Sequence, residues 1–159
     1  MLAASLALAV GLAVYDLTVR ELDISATVSQ SEYAIYAADS GAECALYWDT
    51  HYSNAGNNNN GGSQSAFSTS SADTLTPSAS SGVNCNTLDI TAPAENWTIA
   101  AAASAATTTF NLTFSPQPYC VTVTVAKNGT PSQTTITAHG YNTCSGGALQ
   151  LERALQVTY

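Results

Sequence analysis

Residues 1–15 read MLAASLALAVGLAVY, and none of them carries a charge. The chain then runs from Asp16 to Trp48 without a proline, and apolar residues recur at Leu17, Ile24, Val28, Ile35, Ala38, Ala42 and Leu46. That spacing follows a helical period loosely. One helix over residues 1–48 is therefore expected, roughly 72 Å long at 1.5 Å per residue. Its first 15 residues span only about 22 Å, short of the roughly 30 Å hydrocarbon core of a bilayer. An N-terminal signal peptide has an apolar region of this length, but here no Lys or Arg precedes the run and the helical pattern does not stop after it. Helical patterns well beyond 25 residues imply a coiled coil, a membrane span or a helical array. The apolar third must be buried all round and the remainder on one side.

Working outward, Ala34, Ala37, Ala38, Gly41, Ala42 and Ala45 place small side chains along the amphipathic part. Alanine is also simply a good helix former, whereas Gly41 costs about 1 kcal/mol in a helix interior. Small side chains let another element approach the helix backbone closely. After Trp48 the composition changes. Residues 53–82, SNAGNNNNGGSQSAFSTSSADTLTPSASSG, are polar and of low complexity, with Phe67 and Leu75 as anchors, and are expected to form a surface loop. The Asn run lacks the alternating acids of a calcium loop.

From Val83 the period becomes two. Phe110, Leu112 and Phe114 alternate with Asn111 and Thr113, and Val121, Val123 and Val125 with Thr122 and Thr124. Thr134, Ile136 and Ala138 continue more weakly, and Leu149, Leu151, Leu155, Val157 and Tyr159 share one parity that Arg153 interrupts. These are half-buried strands with one wet face. Residues 127–132, KNGTPS, carry the turn chemistry of a hairpin. The expected fold is α+β: a long N-terminal helix with an antiparallel sheet of about four strands packed on its second half. The segments are an apolar helix (1–24), its amphipathic continuation and exit (25–52), the polar loop (53–82) and the β headgroup (83–159).

Composition narrows the function. Lys and Arg number 3 against 11 Asp and Glu, a net charge of −8 with 9% charged residues. Three bases cannot neutralise a phosphate backbone, so this subunit alone is not expected to grip nucleic acid. Two histidines, His51 and His139, and scattered carboxylates show no nucleophile–base pair or metal cluster, so neither an enzyme nor a cofactor is expected. Cys44, Cys85, Cys120 and Cys144 contain no C-x-x-C pair, and an even count in a Ser/Thr-rich acidic chain reads as disulfides made in an oxidising compartment; four buried thiols are the plainer alternative.

An uncharged N-terminal stretch running into a long helix, then a loop, then a cysteine-bearing antiparallel sheet, resembles the layout of type IV pilins. Residues 30–48, QSEYAIYAADSGAECALYW, are similar to the A-x-x-A-A-[ED]-[AS]-G helix segment of minor pilins, and residues 152–159, ERALQVTY, to their last strand. The resemblance implies an extracellular filament of identical subunits, membrane-embedded before assembly. It implies a prepilin peptidase cutting before Met1, N-methylation of Met1, and handling by an inner-membrane assembly machinery. The filament-assembly helix would present Met1, Leu2, Leu6, Leu8, Val10, Leu12, Val14 and Leu17. Where the usual pilin carries Glu at the fifth mature position this chain has Ser5, and family members lacking that acid are typically minor pilins or pseudopilins. Asp16 and Arg20, four residues apart, are a candidate register pair.

Cys120 opens one strand and Cys144 follows the strand expected to pair with it, so Cys120–Cys144 and Cys44–Cys85 are the expected bonds. Each closes a loop of roughly 25 to 40 residues, about 3–4 kcal/mol in the chain-entropy picture. Asn96, Asn111 and Asn128 stand in N-x-S/T sequons, which would matter in an archaeal-type pilin. A binding module using Trp97, Tyr119 and Tyr141, or a domain that is merely tethered by its N-terminal segment, are the competing functional classes.

Overall fold

The computed structural model describes residues 2–52, 65–71, 82–92, 95–129, 132–147 and 149–159, with only the backbone described for residues 2–6. Helix α1 spans Leu2–His51 without a break, 50 residues or roughly 75 Å. Nothing in it disfavours continuity except Gly11 and Gly41, and its threonines do not compete with the helix. Thr18, Thr27 and Thr50 donate to the carbonyls of Tyr15, Asp23 and Leu46, at 2.8, 2.8 and 3.0 Å.

The headgroup is a five-stranded antiparallel meander in the order β3-β4-β5-β6-β7. Its strands are β3 (Thr98–Ala102), β4 (Ala105–Thr113), β5 (Cys120–Gly129), β6 (Ser132–Tyr141) and β7 (Glu152–Thr158). A small hairpin, β1 (Asn84–Cys85) and β2 (Leu88–Asp89), precedes it. Its turn residues Asn86 and Thr87 have φ of 48° and 69°, the left-handed pair of a tight hairpin. Register is set by the buried parity: Phe110 faces Val123, Val123 faces Ala138, and Ala138 faces Leu155.

The sheet lies on the second half of α1 through β5, β6 and β7. Ala34, Ala37, Ala38, Ala42 and Ala45 are all buried there. The approach is so close that a Cβ on Gly140 of β6 would stand 2.1 Å from the Ala34 carbonyl oxygen and 2.5 Å from the Ala38 nitrogen. A Cβ on Gly41 would meet Val123 at 2.8 Å and Val121 at 2.9 Å. Beyond the helix the core is aromatic. Phe67, Trp97 and Phe110 stack on one another with centroids 5.6 to 6.0 Å apart.

Several expectations change. The sheet has five strands rather than about four, because β3 is alanine-rich and gives no alternating signal. The expected surface loop includes a core segment: Ser65, Ala66, Phe67 and Ser68 are buried. Its residues 53–64 and 72–81, Leu75 among them, lie outside the described residues, as do Thr130 and Pro131 of the expected turn. Leu149 and Leu151 precede the last strand, which starts at Glu152. Arg153 keeps the parity of Leu155 because it faces α1, where its Nε donates to Ser31 Oγ at 2.8 Å.

Candidate functional site

From Leu8 to Val28 the large apolar side chains of the helix are uncovered in the subunit. Leu8, Val10, Leu12, Val14, Tyr15, Leu17, Val19, Leu22, Ile24 and Val28 are all exposed, with Leu22 at 70% and Leu8 at 68%. Successive residues are 100° apart on a helix, so these side chains lie on two opposite sides rather than in one stripe, with Asp16, Arg20 and Asp23 between them. An apolar surface of this kind marks an interaction site. Among the described residues no helix is long and apolar enough to cross a membrane.

Of the residues expected to form an assembly helix, Leu8, Val10, Leu12, Val14 and Leu17 stand on this surface. Met1 lies outside the described residues, and the side chains of Leu2 and Leu6 are not described. Asp16 and Arg20 form the expected i,i+4 pair at 3.1 Å, both largely exposed. In water such a pair is worth a few tenths of a kcal/mol.

Two devices tie the headgroup to α1. Cys44 and Cys85 form a disulfide, Cα to Cα 6.0 Å, joining the helix to β1. Cys120 and Cys144 do not form the expected second bond in this structure. They are neighbouring thiols; burial first, then the hydrogen bond and charge of Cys144, push Cys120 up to about 12. The thiol of Cys144 donates to the Pro118 carbonyl at 3.1 Å.

The second device is a buried carboxylate near the end of α1. Asp49 accepts from Lys127 Nζ and from Ser65 Oγ, and from the Tyr159 hydroxyl at 2.6 Å. Lys127 also donates to Ser65 Oγ at 3.0 Å. Burial alone would raise the Asp49 pKa, but the donors from Lys127, Ser65 and Tyr159 outweigh it and hold the carboxyl below its ordinary value. Tyr159 moves the other way, raised by burial and then by Asp49. The hub joins α1, the 65–71 segment, β5 and the end of the chain. Sequence reading placed Lys127 in a turn. The missed signal was parity: Lys127 continues the inward series Val121, Val123, Val125, and a lysine on a buried face requires an acid.

The remaining candidates are dispersed. Trp97 belongs to the core stack, Tyr119 stacks on Tyr33 of α1 at 5.9 Å, and Tyr141 lies beside Glu152. His139 Nδ1 pairs with Glu152 Oε1 on an exposed part of the sheet. Among the described residues no group of three or more His, Cys, Asp or Glu is placed to hold a metal ion. A cleft of about 530 Å³ beside the Cys44–Cys85 bond is lined by Ser40, Glu43, Tyr47, Trp48, Asn86 and Phe114, among others. No protein-family model, no curated protein and no solved structure matches the chain.

Proposed function

We propose that the chain is a structural subunit of an extracellular type IV pilus-like filament that polymerises through its N-terminal hydrophobic helix. The observation that carries this reading is the protruding helix, uncharged through Tyr15, whose large apolar side chains are uncovered within the subunit from Leu8 to Val28. An apolar surface that cannot be covered internally is covered by lipid or by other copies. Before assembly the segment is held in the membrane, and in the filament it enters a bundle of identical helices. Neither environment wets it, so the transfer is close to balanced and an assembly machinery can drive it in either direction. Prepilin peptidase processing and the inner-membrane machinery are the partners this reading brings with it, and the headgroup with its disulfide faces the outside.

Deleting residues 1–24 is expected to leave a soluble monomer that keeps the sheet, because that segment has no partner in the headgroup. Ala9→Lys is expected to abolish filaments by placing an unpaired charge inside the bundle. Filaments seen by electron microscopy for either variant would refute the reading. The resemblance to minor pilins in residues 30–48 favours a second reading, a minor or tip subunit with an adhesive or priming role. Immunogold labelling confined to filament ends would select it.

A further inference from the structure

Leu149 is 85% exposed, more than any other large apolar side chain among the described residues. It stands on a connection that is nonetheless firmly held. Asn142, 4% exposed, donates from Nδ2 to Gln30 Oε1 at 3.0 Å and to the Leu149 carbonyl at 3.1 Å, and its Oδ1 accepts the Leu151 N–H at 2.7 Å. Gln150 Nε2 donates to the Thr143 carbonyl at 2.8 Å. Between this loop and α1 runs a groove of about 480 Å³ lined by Asp23, Ala26, Thr27, Gln30 and Leu149–Leu151. Residues 149–151, tied by these hydrogen bonds while the Leu149 side chain stands in water, have already lost freedom that binding would otherwise cost them.

We propose that this groove receives residues 7–15 of α1 from a second copy of the chain; the inference rests on the filament reading and names its receiving surface. The subunit's own residues 7–15 cannot fill the groove. They lie on the same unbroken helix, centred about 15 residues or roughly 22 Å before it. Charge selects the same occupant. The chain carries −8, and the one charge lining the groove is Asp23. Residues 16–23 of the exposed helix bring Asp16, Glu21 and Asp23 against Arg20, whereas 7–15 are uncharged and can approach Asp23 without repulsion. The groove is also continuous with the exposed apolar surface of α1, so one contact covers both.

Residues 7–15 and the groove are different surfaces of one chain, so the contact is heterologous. Each copy that donates its helix still offers an empty groove, displaced by roughly 22 Å along the axis. Such a contact propagates into an open filament and does not close into a dimer.

The test uses the full chain with benzoylphenylalanine in place of Leu149, mixed as a minor component with unmodified chain, assembled and irradiated. Peptide mass spectrometry is expected to find position 149 joined to residues 7–15 of another copy, in filaments only. Leu149→Asp is expected to lower the assembled fraction about tenfold or more while leaving the thermal melt of the headgroup unchanged. Cross-links confined to the same chain or to another copy's sheet, or normal filaments from Leu149→Asp, would overturn the groove and leave the filament reading standing. Absence of filaments from the unmodified chain would overturn both.

Discussion

The two halves of α1 share one backbone and differ in the size of the side chains they present. From Ala34 to Ala45 the side chains facing the sheet are alanine and Gly41, and β5 and β6 close on the helix until Gly140 touches its backbone. From Leu8 to Val28 the large apolar side chains are Tyr15 and a series of leucines, valines and isoleucines, and nothing in the subunit closes on them. Small residues permit close approach within one molecule, while large ones leave a surface that only other molecules can cover. Mutations in the two halves should therefore fail differently: the upper half by unfolding, the lower half by loss of association.

The largest expected loss of stability comes from the hub that locks the upper half. Asp49→Ala leaves Lys127 buried without its partner and should cost about 3–5 kcal/mol, read as a shift in urea midpoint at constant slope. The same carboxylate predicts an acid limit. Its folded pKa lies below the ordinary 3.8, so its stabilisation is present above the unfolded value and is lost as pH falls through the folded one. The melting temperature should be flat from neutral pH to about 5 and fall below about 3.8, and Asp49→Asn should remove much of that acid-side drop.

Gly140→Ala comes next, because its Cβ would meet backbone atoms, which cannot rotate aside; about 3 kcal/mol is expected. Gly41→Ala sharpens the comparison. Its Cβ would meet only the methyls of Val121 and Val123, and alanine recovers about 1 kcal/mol of helix propensity, so a net change of about 1 kcal/mol or less is expected. A loss as large as that of Gly140→Ala would mean the valines cannot move, and the close-approach account would need revision.

The smallest effect on folding belongs to the lower half. Leu12→Gln and Leu17→Gln, at exposed positions, should change headgroup stability by less than about 0.5 kcal/mol and still prevent assembly. If they destabilise the headgroup like Asp49→Ala, the two halves are not independent. Peptide mapping after oxidation should join Cys120 to Cys144 beside the existing Cys44–Cys85 bond, since the two thiols are already hydrogen-bonding neighbours. Four free thiols would contradict the extracellular setting.

Local pattern was enough for much of this. The proline-free run fixed a continuous helix, the period of two in residues 110–114 and 121–125 fixed central strands, and the abrupt loss of apolar residues after Trp48 marked the exit. The exposed apolar surface was also legible, because the uncharged run of residues 1–15 cannot be covered on all sides by one sheet. What pattern could not supply was anything that depends on which distant residues meet. Strand β3 is held by pairing with β4 and has no alternation of its own. Phe67 is core because Trp97 and Phe110 stack on it, although its neighbours in sequence are polar.

By itself the sequence determined the helix, the α+β layout and the apolar segment that the sheet leaves uncovered, because periodicity and composition act locally along the chain. Only the tertiary structure decided that Asp49, Ser65, Lys127 and Tyr159 share one buried site and that Gly140 rests on Ala34. It also decided that Leu149 stands free beside Gln30. Each of these is set by a separation in space of a few ångströms between residues far apart in sequence, as Gln30 and Asn142 are at 112 residues. Such distances follow from how the sheet closes on the helix, and no window of the sequence contains them.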